Sequence, residues 1–188
     1  MSAMTLNKLV EKLNPSCRLA LETAAASCQS RSQFTVEIEH WLLALLDKEN
    51  NDINVIIPSF SINKAQLVIE LQQRLETMKT GNSAAPSLSP HIVTLLRQTW
   101  LNTTIEFNDD HIRSAYLIYT IVNDESLHAL TCQSVKQLRK IHSNQLLNFW
   151  SDLEKNSNET ENYSASDQGK EQQNIVSKTP SLDQFTQD

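Results

Sequence analysis

Three cysteines, five histidines and 22 carboxylates are the side chains through which this 188-residue chain could do chemistry, so their spacing comes first. Cys17 and Cys28 fall in one apolar helical stripe, about 16 Å apart along the axis at 1.5 Å per residue. A disulfide needs Cα atoms within about 7 Å, which excludes that bridge. No Cys-x-x-Cys occurs. The thiols therefore read as small buried apolar groups, not as ligands or a redox pair. Glu37-Ile38-Glu39-His40 and Glu125-Ser126-Leu127-His128 are both Glu-x-x-His, the half-motif of di-iron carboxylate bundles. Such a centre also needs a carboxylate on each of two facing helices. Glu22, Glu70, Glu76 and Glu106 are the candidates, on helices too short for a ferritin-like bundle. An acid at a helix start (Glu37) and a packed or hydrogen-bonded histidine (His40) are the simpler account, with a di-metal carboxylate oxidoreductase as a distant alternative. No serine sits on a recognisable nucleophile elbow and no cysteine has a histidine partner. The expectation is no catalytic residue and no metal site.

The elements that would position any site are helical. Gly81 and Gly169 are the only glycines, so neither GxGxxG nor GxxxxGK[ST] can be written. A hairpin-rich β fold is disfavoured for the same reason. A net charge of −6 argues against a nucleic-acid partner, whose binding draws on basic patches. The longest apolar runs, 41–46 and 115–122, are too short to span a bilayer, and the N-terminus lacks a signal peptide's apolar core. These features predict a cytoplasmic all-α protein without membrane contact. Residues 156–188 carry six acids and two bases, with six hydrophobic residues in 33 and no period. Such a stretch cannot bury enough apolar surface to offset its ordering entropy, and it reads as a disordered linker.

Asn14-Pro15 announces the first long helix, Asn as cap and Pro preset for the first helical position. Cys17, Leu21, Ala24, Ala25 and Cys28 follow as one apolar stripe. A helix over about 36–48 follows Thr35 as cap, its Trp41–Leu46 run apolar nearly all round, as in a central buried helix. A short helix over about 52–58 comes next. Asn63 with Gln66 opens another, carrying Leu67, Leu71, Leu75 and Met78 and stopping at Gly81. Leu88-Ser89-Pro90 then repeats Leu13-Asn14-Pro15 at an offset of 75. Ile112, Leu117 and Tyr119 echo Ile38, Leu43 and Leu45 at 74, and Ser143-Asn144 opens a last helix with Leu146, Leu147, Trp150 and Leu153. Two copies of a four-helix unit, about 13–80 and 88–155, predict a pseudo-twofold domain around one core. An extra amphipathic helix over 1–12 precedes them.

The strings LNPSCR followed by ALE, EIEHWLLALL, and TGN followed by SLSP and Trp100, together with the extra helix, resemble the N-terminal domain of the Clp/Hsp100 AAA+ unfoldases. Within that family they are similar to the type VI secretion branch, ClpV or TssH. The likeness covers residues 13–155, and SLDQFTQD is similar to the lead-in to a first ATPase ring. The resemblance implies a substrate-recognition module. Its partner would be a helix near the N-terminus of the large sheath subunit (VipB/TssC type), recruited for ATP-driven disassembly of contracted sheath. ATP and Mg²⁺ would belong to ring domains, with no cofactor in this module; the fragment would be monomeric and the parent hexameric. The alternative is the N-domain of a general ClpB/ClpC-type unfoldase that binds unfolded segments or an adaptor. A helix-in-groove site needs an apolar trough and a polar rim. The expected walls are the added helix with Leu13, Cys17 and Leu21 on one side and Leu88, His91 and Ile92 on the other, with Lys12 and Arg18 at the rim. The same apolar residues also read as plain core, since a helical stripe is usually buried.

Overall fold

Each cap-plus-Pro pair opens a helix of 16 residues. The computed structural model describes residues 5–160. The elements are α1 (Leu6–Glu11), α2 (Pro15–Ser30), β1 (Thr35–Val36), α3 (Ile38–Leu46), α4 (Asp52–Ser59), α5 (Lys64–Glu76), β2 (Ser87–Leu88), α6 (Pro90–Ile105), α7 (Ser114–Asn123) and α8 (Glu125–Cys132). A 3-10 turn (Lys136–Lys140), α9 (Ser143–Asn148) and α10 (Trp150–Asn156) complete it. Asn14 accepts from the Cys17 N–H and Ser89 from the Ile92 N–H, which satisfies a donor that each helix start leaves unpaired.

The two repeats are laced together by short strands that the helical pattern hides. β1 and β2 pair in parallel, Val36 opposite Leu88, and Leu13 bridges Ile112 in the same sense. The Asn14 N–H donates to the Ile112 carbonyl at 2.8 Å, and the Ser89 N–H to the Val36 carbonyl at 3.0 Å. The segment before each repeat's first helix is thus bonded into the other repeat. This pairing makes Ile112 the counterpart of Val36, an offset of 76 where apolar matching suggested 74. The caps of α3 and α7, Glu37 and Arg113, keep the same 76.

Helices α3 and α7 are the central elements. Ile38, Trp41, Leu42 and Leu45 of α3 are buried, as are Ala115, Leu117, Ile118 and Ile121 of α7. α3 packs on α2 and α5; α7 packs on α6, α4, α8 and α9. One continuous core results, with α7 against α4 joining the repeats. The Trp41 indole N–H is satisfied inside it by the Cys17 carbonyl at 3.1 Å.

Several expected boundaries move. Thr35 lies in β1, and Glu37 is the cap of α3. α5 ends at Glu76 with Thr77 as its cap, ahead of Gly81, whose φ of +104° turns the connector. The expected last helix is two, α9 and α10, meeting at Phe149, where the ring packs edge-on against Phe60. With so few glycines, left-handed positions past the helix ends fall to Ser32, Asn50, Ser61 and Asn108. The expected linker boundary at 155/156 is also displaced. Ser157 and Glu159 are buried in the domain, because their polar atoms find partners on three helix starts. Residues 1–4, and 161–188 of the expected linker, lie outside the described residues.

Candidate functional site

The Glu-x-x-His at 37–40 closes on itself. The Glu37 N–H donates to His40 Nδ1 at 2.9 Å, so Nε2 carries the proton and donates to Gln33 Oε1 at 2.7 Å. Gln33 passes the chain on to the Leu75 carbonyl. Both ring nitrogens are engaged, and burial holds the imidazole down to about 4, against an ordinary 6.5. His40 is a capping residue with a buried tether to α5. The second Glu-x-x-His lies at the start of α8, where Asp124 caps the helix. Among the described residues no three potential metal ligands come together.

Cys17, Cys28 and Cys132 are free and buried. Burial pushes the Cys28 and Cys132 thiols up to about 11 and raises Cys17 as well, with Glu159 and Asp52 adding to it. Thiols in this state are poor nucleophiles. Nothing in these groups converges on a reacting atom.

The described surface carries several cavities, and one of them is a furrow beside α1. α1 packs against α6, and between them Leu9, Arg97, Gln98, Trp100, Leu101 and Thr104 line a cavity of about 320 Å³. Residues 97, 100, 101 and 104 share one helical face. Leu9 is buried as its floor, while Leu101 is 50% and Ile105, one turn on, 68% exposed. The Lys12 ammonium stands 5.1 Å from the Trp100 ring centroid, a cation–π contact that fixes a positive charge at the lip. Arg97 gives a second. An apolar strip flanked by two cations is suited to an amphipathic segment with acidic side chains.

The expected site residues do not all reach this furrow. Leu13, Cys17, Leu21 and Ile92 are core, and Leu88 is nearly so, so a partner could touch them only by opening the domain. His91 is exposed but bonds Glu37 Oε2 at 3.1 Å, at the start of α3. It lies about 9 Å along α6 from Arg97. The wall facing α1 is therefore Arg97, Trp100 and Leu101 instead of Leu88, His91 and Ile92. Lys12 stands beside Trp100 of this furrow, and Arg18 is half-buried near the start of α2. A sequence signal for the missed wall exists: Leu101 and Ile105 are apolar yet fall off the stripe of Ile92, Leu95, Leu96 and Thr99. Apolar residues outside the buried stripe are the ones left for a partner.

The comparisons agree with this architecture. Over 132 residues the chain is 30% identical to the AAA+ ATPase ClpV1 of Pseudomonas aeruginosa, covering 70% of this chain and 15% of that protein. The chain thus spans about 15% of the length of the curated relatives it matches. Its fold matches the N-terminal domain of the ClpV1 ATPase from the Escherichia coli EAEC Sci1 type VI system, with a TM-score of 0.73 and 28% identity over 80% of this chain and 91% of that one. It also matches a ClpV N-domain in complex with a VipB peptide, with a TM-score of 0.71 and 25% identity over 85% and 98% of the two chains. The Clp repeat (R) N-terminal domain model matches residues 12–133, from just before the first cap to the end of α8. Two helical repeats, each bonded into the other through the residue before its first helix, are the form that this match takes here, and the chain belongs to the Clp repeat N-terminal domain family.

Proposed function

We propose that this domain is the substrate-recognition module of a ClpV-type AAA+ unfoldase, and that it binds a helix near the N-terminus of the large type VI sheath subunit, the VipB/TssC type. The observation that carries this reading is the apolar furrow between α1 and α6 with Lys12 and Arg97 at its edge, on a fold shared with a ClpV N-domain that holds a VipB peptide. A bound helix lays its apolar i, i+3/i+4 face on Trp100, Leu101 and Ile105. Its acidic side chains meet Lys12 and Arg97, with Arg18 as a further cation. Binding recruits contracted sheath, and the pulling is done by ring domains elsewhere in the parent hexamer, which hold the ATP and Mg²⁺. The module itself performs no reaction, acts in the cytoplasm, and is monomeric when separated from the rings.

Fluorescence anisotropy with a peptide copying the sheath subunit's N-terminal helix tests the reading. Micromolar binding, about −8 kcal/mol, is expected for the wild-type chain. Leu101→Asp should weaken it at least about tenfold, since a charge then sits desolvated in the interface, and circular dichroism should stay unchanged because Leu101 is exposed. Absence of binding by folded protein at high micromolar peptide would overturn the proposal. So would a clear preference for unfolded model proteins.

A further inference from the structure

Glu159 has no exposed surface, yet it belongs to a run, Ser157-Asn158-Glu159-Thr160, without one apolar side chain. What holds it is polar. Oε1 accepts from Asn14 Nδ2 at 2.9 Å and the Ser114 N–H at 2.9 Å. Oε2 accepts from the Asp52 N–H at 2.6 Å and from the Ser114 hydroxyl. These donors are the cap of α2 and the first residues of α4 and α7, three helix starts drawn from both repeats, where the dipoles favour an anion. The neighbours repeat the pattern. Ser157 bonds Asp52, which Arg113 grips through two contacts of 2.7 Å. Thr160 accepts from Arg113 at 3.1 Å, and the Asn158 N–H donates to the Asn50 carbonyl at 2.7 Å.

Asn14 also stands three residues past the end of α1. Its N–H donates to the Ile112 carbonyl, and the Ile112 N–H donates to the Lys12 carbonyl at 2.7 Å. The same junction occurs a second time, at Val36 and Leu88–Ser89, by the pseudo-twofold relation. There the Ser89 side chain serves only the Ile92 N–H among the described residues. Among the described residues, a fully buried carboxylate fastens one junction, while at its twin Glu37, at the start of α3, bonds the exposed His91 at 3.1 Å.

We propose that Ser157–Thr160 is a clasp and Glu159 its positioning residue, locking the Leu13–Ile112 junction so that residues 157–160 and the α1 wall of the furrow move as one unit. Because no hydrophobic burial holds the run, it can let go as a whole while the core stays closed. The part of this that concerns partner binding rests on the function proposed above; the clasp does not.

Hydrogen exchange read by mass spectrometry on the 188-residue chain tests it. In Glu159→Ala, exchange at Asn14, Ile112 and Leu9–Lys12 should accelerate at least tenfold, while Ser87 and Ser89 at the twin junction keep wild-type protection. Equal acceleration at both junctions, or at neither, would overturn the clasp. Should that variant fail to fold, the wild type in rising urea decides: Leu9–Asn14 should open at lower urea than the Ser87–Ser89 amides, and simultaneous opening refutes the proposal. Peptide affinity of the same variant should fall in step with the loss of protection along α1. If the sheath peptide fails to bind wild type, the functional reading is lost, and the exchange pattern still decides the clasp.

Discussion

Two buried groups, His40 and Glu159, should drive stability in opposite directions across the same pH window. His40 must be neutral, because Nδ1 accepts from the Glu37 N–H and a proton there removes the cap of α3. Burial, with Arg31 adding repulsion, lowers it to about 4 from the ordinary 6.5. That gap is worth about 3 kcal/mol. For a base held low in the fold, this stability is complete above 6.5 and is lost as pH falls towards 4. Glu159 behaves the other way. Burial and then the Asp52 charge outweigh its donors, Ser114 and Asn14, and raise the carboxyl from 4.5 to about 7. The folded chain then binds that proton more tightly than the unfolded one. Its contribution is present at low pH and fades as pH rises through the neutral range. Urea unfolding followed by circular dichroism, from about pH 4 to 8, reads both effects as differences from wild type. His40→Gln should gain on wild type by about 3 kcal/mol as pH falls from 6.5 to 4. Glu159→Gln should gain on wild type as pH rises from 4.5 to 7. The constant offset of each variant, from a lost cap or a mismatched amide, does not enter these slopes. Two variants drifting in the same direction with pH, or neither drifting at all, would refute the assignment of these groups.

Two further substitutions probe the frame. Ser61 follows the C-cap of α4 with a φ of 56°, and a side chain in that left-handed region costs about 1 kcal/mol. Ser61→Gly should raise the thermal midpoint, by up to about 4 °C for a domain of this size; a lower midpoint would show that the turn tolerates Ser without strain. Arg113→Ala leaves Asp52 buried and without its counter-ion, which should cost about 3–5 kcal/mol in urea unfolding. A loss below about 1 kcal/mol would mean that the Ser157 and Ala115 donors satisfy Asp52 unaided.

What could be read from the sequence was local or periodic. Asn14-Pro15 and Ser89-Pro90 cap their helices because an acceptor side chain and a preset φ act within four residues. The stripe of Cys17, Leu21, Ala24 and Cys28 is buried because helical period alone puts it on one face. The duplication followed from those same signals occurring twice. Tertiary structure decided the rest. Strands of two residues have no periodicity to detect, so the lacing of Leu13 to Ile112 and Val36 to Leu88 was invisible. The furrow wall depended on which stretch of α6 meets α1, which separates Leu101 from His91 although both are exposed residues of one helix. Glu159 is the clearest case: an acid in a polar run reads as solvated, and it is buried because Asn14, Asp52 and Ser114, between 45 and 145 residues away in the chain, present their donors at a single point. A carboxylate's fate depends on the donors assembled around it, and only the folded chain assembles them.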